Sequence, residues 1–170
     1  LVHKTEAGAV VLNLKDEDSL TLAAAKMKND VTAYDARAVS ELFLVEAMSP
    51  EPLAELIINI RQDPQFGAAL VLGSGGILVE LLADSTTLLL PTRPIEIIHA
   101  LKSLRVGRLL EGFRGQPAAD ITKLAAEIYK LSINYQENIK TITEIEINPL
   151  FVYRAEVSAI DVLIQVPNEN

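Results

Sequence analysis

Three oxygen-bearing side chains near the C-terminal end, Glu146, Asn148 and Asp161, have the types and spacing for hard-metal chemistry. Glu144-Ile145-Glu146-Ile147-Asn148 alternates polar and apolar, the period of a half-buried strand with its oxygen donors on one face. Val157 to Ile164 alternates again, and the short polar Arg154-Ala155-Glu156 between the runs fits a hairpin. With Ala155 and Glu156 as the turn, Asp161 falls opposite Leu150, and parity puts Leu150, Asn148, Glu146 and Asp161 on one face. Two carboxylates and an amide without Cys or His suit Mg²⁺, which keeps several waters and takes other ligands from phosphate oxygens. An exposed polar strand face gives the same pattern, and spacing does not separate the two. Pro149, lacking an N–H, belongs at an edge, a strand start or a bulge, and bulges re-aim side chains beside active sites.

Other residues offer weaker chemistry. His3, beside Lys4 at the mouth of an apolar run, has the imidazole of a nucleophile or proton carrier, though a terminal histidine is equally a solvated one. Gly73-Ser74-Gly75-Gly76 after a strand would let backbone N–H groups approach an anion; a tight turn needing φ > 0 explains it as well. Glu46 is an acid in the apolar run ELFLVEAM, a pattern that an outward strand position also gives. His99, Arg108 and Arg114 read as surface residues.

The elements that must hold these residues alternate between helix and strand. Strands are expected at Ala9–Leu14, Glu41–Met48, Leu53–Gln62, Ala68–Leu72 and Thr86–Leu90, with turns at Ser49-Pro50-Glu51-Pro52 and Asp63-Pro64-Gln65-Phe66-Gly67. One helix follows Asp16-Glu17-Asp18-Ser19, with Leu20, Ala23, Ala24 and Met27 inward. A second starts at Pro94 with Ile95, Ile98, Leu101 and Leu104 inward, and a third is capped by Asp120, with Ile121, Leu124, Ala125, Ile128 and Leu131 inward. Ile77 to Leu82 reads as either helix or strand.

The totals narrow the class. At 170 residues and 49% apolar content the chain fills the core of one domain or two small lobes. A net charge of −8 with no basic cluster, no Trp and 5% aromatics argues against nucleic acid as a partner. No apolar run approaches the roughly 20 residues of a membrane helix, and the absence of cysteine fits a cytoplasmic protein.

Taken in order, HKTEAGAVVLNL, the RQDPQFG turn, VLGSGGILVELLADS, LLEGFRG and EIEINPLFVY with a later Asp resemble the ATP-grasp domain of the NDP-forming acyl-CoA synthetases. That family includes ADP-forming acetyl-CoA synthetase and, more distantly, succinyl-CoA synthetase. The resemblance implies an α+β ATP-grasp fold, two lobes clamping ATP or ADP, and the reaction acid + CoA + ATP ⇌ acyl-CoA + ADP + phosphate through phosphohistidine. It implies that His3 carries the phosphoryl group at the nucleotide site. Asn148 and Asp161, with Glu146 adjoining, would hold Mg²⁺, Gly73, Gly75 and Gly76 would form the nucleotide-side glycine turn, and Glu46 would lie near the adenine hinge.

By the same resemblance residues 1–170 are a partial ATP-grasp domain, closed by the metal-bearing strand pair 144–164. The family's preceding helix and strand, with a phosphate-contacting lysine, are expected upstream of Leu1, and the CoA-binding part in another domain or subunit. Gln62 and Leu88 stand where relatives carry arginine, which removes two cations from the expected site. The piece alone is expected to turn nothing over, and its open sheet edges to favour a homodimer. Two other readings remain: an ATP-grasp carboxylate ligase acting through an acyl phosphate, and a noncatalytic scaffold of the same descent. The acyl group is not legible.

Overall fold

A computed structural model describes residues 4–38, 42–76 and 83–167 and divides the chain into two compact units, 1–50 and 51–170. In the first unit, helix α1 (Glu17–Tyr34) starts where Asp16 accepts the N–H of Ser19 at 2.7 Å, while the Ser19 hydroxyl caps back toward the Asp16 N–H. Ala23 is buried and Leu20, Ala24 and Met27 half-buried, as their spacing predicts, but the helix runs past the expected stop at Asn29-Asp30. The strands expected at Ala9–Leu14 and Glu41–Met48 are not formed: residues 9–14 and 42–48 carry no strand, and Leu12, Leu42 and Leu44 are 62%, 86% and 83% exposed. An apolar run makes a strand only where a ladder completes it, and among the described residues no ladder includes either segment.

The second unit is an antiparallel sheet with helices on one face. Strands β1 (Ala54–Asp63), β2 (Gly67–Ser74), β3 (Ser85–Leu89), β4 (Glu144–Val152), β5 (Val157–Ala159) and β6 (Val162–Gln165) run in the order β3-β2-β1-β4-β5, and β6 also pairs with β4. The β1–β2 turn is set by Asp63, whose Oδ1 accepts the N–H groups of Gln65 and Phe66 at 2.8 and 2.9 Å, and by Gly67 at φ +82°. Helices α2 (Pro94–Ser103), α3 (Gly107–Leu110) and α4 (Ile121–Glu137) follow β3. The core joins Leu56, Ile58 and Ile60 of β1 and Leu70 and Leu72 of β2 to Ile97 and Leu101 of α2 and Leu124, Ile128 and Tyr135 of α4. Each such side chain is worth about 1.5–3 kcal/mol of transfer free energy, so this one face supplies most of the drive to fold.

Two phase details differ from expectation. On α2 and its C-cap the buried residues are Ile97, Ala100, Leu101 and Leu104, whereas Ile95 is 48% exposed, because the helix docks along a line rotated from the expected one. On β4, Ile145 and Ile147 are buried and then Leu150 and Val152, so the alternation slips by one at Asn148-Pro149. The β1 partners show the cause: Leu56 pairs with Leu150 but Ile58 with Ile147, so Ile57 alone faces both Asn148 and Pro149. Pro149 therefore sits at a bulge, and Leu150 lies on the core face instead of sharing a face with Asn148.

Candidate functional site

The face of the sheet turned away from the helices carries the oxygen donors. The hairpin after β4 turns at Arg154-Ala155, where Tyr153 N–H donates to Glu156 C=O at 2.9 Å, one residue earlier than expected. That moves every pair by two: Leu150 faces Ala159, Glu146 faces Leu163, and Asp161 lies opposite Asn148, whose N–H donates to its carbonyl at 3.0 Å. Pro149 completes the ladder by accepting from Ile160 N–H at 3.0 Å. Asn148 and Asp161, 13 residues apart in sequence, are thus direct cross-strand neighbours, with Glu146 two residues along β4.

Sequence reasoning missed Asn59. It lies in the apolar run Leu56 to Ile60 and is 8% exposed, opposite Glu146 in the β1–β4 ladder. Its Nδ2 donates to Glu144 Oε1 at 2.6 Å and to Glu146 Oε2 at 3.3 Å, while Gln165 Nε2 donates to Glu144 Oε2 at 2.8 Å. Asn59 Oδ1 is buried and accepts nothing. The one signal available was a lone polar residue breaking an otherwise apolar central strand.

The donor set fits a hard cation. Among the described residues no Lys or Arg pairs with Glu144 or Glu146, so no cation of the protein offsets either carboxylate. Among the same residues no three His, Cys, Asp or Glu side chains gather as a metal-holding group; two carboxylates and an amide would need phosphate oxygens and water to complete an Mg²⁺ shell. Tyr135 anchors the start of β4: its hydroxyl donates to Thr143 C=O at 2.9 Å, and burial, with Glu144 nearby, raises its pKa and keeps it a donor.

The glycine turn is built by close backbone contact. A Cβ on Gly75 would lie 2.7 Å from Leu56 C and O, and a Cβ on Gly73 would lie 2.7 Å from Asp84 O. Gly76, at φ +72°, lies against the Glu55 carboxylate. Ser74 N–H donates to Asp84 O and Gly75 N–H to Glu55 O, so protein carbonyls take both donors. Asp84 ties this turn to the α2–α3 connection, accepting from Ser74 Oγ at 2.6 Å, Arg105 N–H at 2.8 Å and Val106 N–H at 3.1 Å. Burial alone would raise its pKa; these three bonds outweigh that and hold it below the ordinary value. An open cavity of about 530 Å³ lies beside the turn, lined by Leu53, Glu55, Gly75, Arg105 and Leu109 among others.

The remaining expectations scatter. Glu146, Asn148 and Asp161 do not line that cavity, and its cation is Arg105, not Arg108 or Arg114; Arg114 stacks on Phe113 at 5.3 Å. Glu46 is exposed in the first unit, outside any helix or strand. Leu88 packs on the core, and Gln62 is exposed. His3 lies outside the described residues, as does the 77–82 stretch left open between helix and strand.

Residues 1–166 match the ATP-grasp domain family. The chain belongs to that family. This ATP-grasp chain is 33% identical over 168 residues to trans-feruloyl-CoA synthase FCS1 of an unknown prokaryotic organism, covering 98% of itself and 24% of that protein. It is 32% identical over 162 residues to subunit beta of the ADP-forming acetate–CoA ligase I of Pyrococcus furiosus, covering 95% of itself and 68% of that subunit. The solved structure of Ca. Korarchaeum cryptofilum dinucleotide forming acetyl-coenzyme A synthetase 1, in complex with coenzyme A and Mg-AMPPCP, matches with a TM-score of 0.79 at 28% identity, covering 97% of this chain and 71% of that one. The ATP-grasp chain thus spans only part of the proteins it resembles.

Proposed function

We propose that this chain is the nucleotide-binding and phosphoryl-transferring part of an ADP-forming acyl-CoA synthetase, acting as acid + CoA + ATP ⇌ acyl-CoA + ADP + phosphate. The observation that carries the reading is the β4–β6 register, which sets Asp161 against Asn148 beside an acid-bearing strand face. In this reading Glu146, Asn148 and Asp161 hold Mg²⁺ on the nucleotide phosphates. The bound ion would neutralise charge that spreads over the transferring phosphoryl oxygens. His3 takes and returns the phosphoryl group. Gly73, Gly75 and Gly76 act by shape, keeping the turn flush against β1 beside the cavity, and Glu46 is assigned to recognition of the base.

The relatives support the same assignment: one is named an ADP-forming acetate–CoA ligase subunit, and a neighbour's structure holds CoA with a magnesium nucleotide. A CoA-binding domain or subunit completes the enzyme, in the cytoplasm; among the described residues no helix is long and apolar enough to cross a membrane. The β6 edge, with Val162, Leu163 and Ile164 about half exposed, is open to that partner or to a second copy.

Labelling the complete protein with γ-phosphate-labelled ATP tests the reading. The expected product is a phosphoenzyme lost in acid, kept in alkali and absent from His3→Ala. ADP formation that needs acid and Mg·ATP but never labels the protein would identify a carboxylate ligase working through a free acyl phosphate. A native fold that gives no calorimetric heat with Mg·ATP would identify a scaffold.

A further inference from the structure

We propose that Asn59 is a positioning residue for the cation site, orienting the Glu146 carboxylate through an amide shared with Glu144. The inference rests on the Mg²⁺ reading above. Asn59 lies on the central strand, and both hydrogens of its Nδ2 are used, one on Glu144 and one on Glu146. Gln165 holds the other Glu144 oxygen, so Glu144 is fixed from two sides and serves as the post to which Asn59 is tied. Glu146 receives one bond and keeps its remaining lone pairs for a cation.

Two features argue that this arrangement serves a ligand rather than the fold. A buried amide oxygen without a partner is unfavourable, and Asn59 Oδ1 is one. Turning the amide over would not relieve it, because the oxygen would then face two carboxylates. The donor is also neutral. A lysine or arginine at this position would steady the carboxylates but cancel their charge, whereas an amide steadies them and leaves the field that attracts a divalent ion. Metal sites depend on such supporting donors, whose removal weakens binding about 10–100-fold.

The test is Mn²⁺ binding to the full chain, read as the free-ion signal in electron paramagnetic resonance, with thermal midpoints measured in parallel. Asn59→Val and Asn59→Thr have nearly the same shape, but only threonine retains a donor. Asn59→Val should weaken Mn²⁺ binding about tenfold, with Asn59→Thr between it and the parent. Equal affinity in all three overturns the role of Asn59 while the cation reading stands, provided Asp161→Ala has lost binding. Binding that is absent from the parent, or unchanged in Asp161→Ala, overturns the cation reading and this inference with it. Should Asn59→Val not fold, the Asn59 side-chain N–H resonances of the parent decide. Protection from exchange and a shift on adding Mg²⁺ support the role; free exchange with no response overturns it.

Discussion

Asn148 N–H donates to the carbonyl of Asp161 at 3.0 Å, so the two candidate ligands are locked to each other through backbone. Both are half-buried. Replacing either by alanine leaves that backbone bond in place and should destabilise by no more than about 1 kcal/mol. The same changes should weaken Mg²⁺-dependent nucleotide binding by at least about tenfold. Calorimetry with ADP, with and without Mg²⁺, separates the two effects.

The glycine turn should tolerate no side chain at Gly75. A Cβ there meets Leu56 backbone at 2.7 Å, and backbone cannot step aside as a side chain end can. Gly75→Ala should destabilise by about 1–3 kcal/mol. Gly67→Ala is the comparison: nothing lies within 4 Å, so only its φ of +82° opposes the change, at on the order of 1–2 kcal/mol. Equilibrium urea unfolding reads both. Only Gly75→Ala should also disturb the cavity beside the turn.

Tyr135→Phe should cost about 1–3 kcal/mol, because the buried ring stays while Thr143 C=O loses its donor. Amide exchange should then quicken first at Glu144 and Ile145, where β4 begins.

Acid should weaken the second unit through two carboxylates. The Arg93 side chain and N–H, with Thr92 Oγ1, lower Glu96 from 4.5 to about 2, and Asp84 is lowered by the bonds already described. A folded pKa below the unfolded one gives stability that is present above the ordinary carboxylate range and lost as pH falls through the folded value. The loss should therefore develop between about 4.5 and 2. Glu96→Gln should flatten that limb of the thermal midpoint against pH curve.

The sheet was legible where a ladder and a core act on the same residues. Strands β1, β2 and β3 and helix α4 follow their apolar pattern, and Asp16 and Asp120 cap the helices their chemistry suggests. The C-terminal pair was legible for a less direct reason. Placing the turn one residue late shifts the pairing by two, which preserves the face of Asp161 relative to Asn148, and the bulge at Pro149 removes Leu150 from that face. In the expected register Asp161 would have faced a core residue. Proline marks a bulge, but how many residues it adds depends on the partner strand, which local pattern does not encode.

Residues 9–14 and 42–48 show the opposite case, since the apolar runs there are genuine but a strand is a property of two segments. Asn59 was illegible because its role is defined by Glu144 and Glu146, on the far side of the chain.

Those separations, 85 and 87 residues, have a kinetic consequence. β1 and β2 close across a short turn and can zip together early, while the other flank of β1 must wait for a distant segment to return, with a larger loop-closure penalty. The acidic cluster is therefore assembled by the last strands to dock. On the proposed Mg²⁺ reading, a divalent ion would not nucleate this fold and would bind only after the sheet has closed.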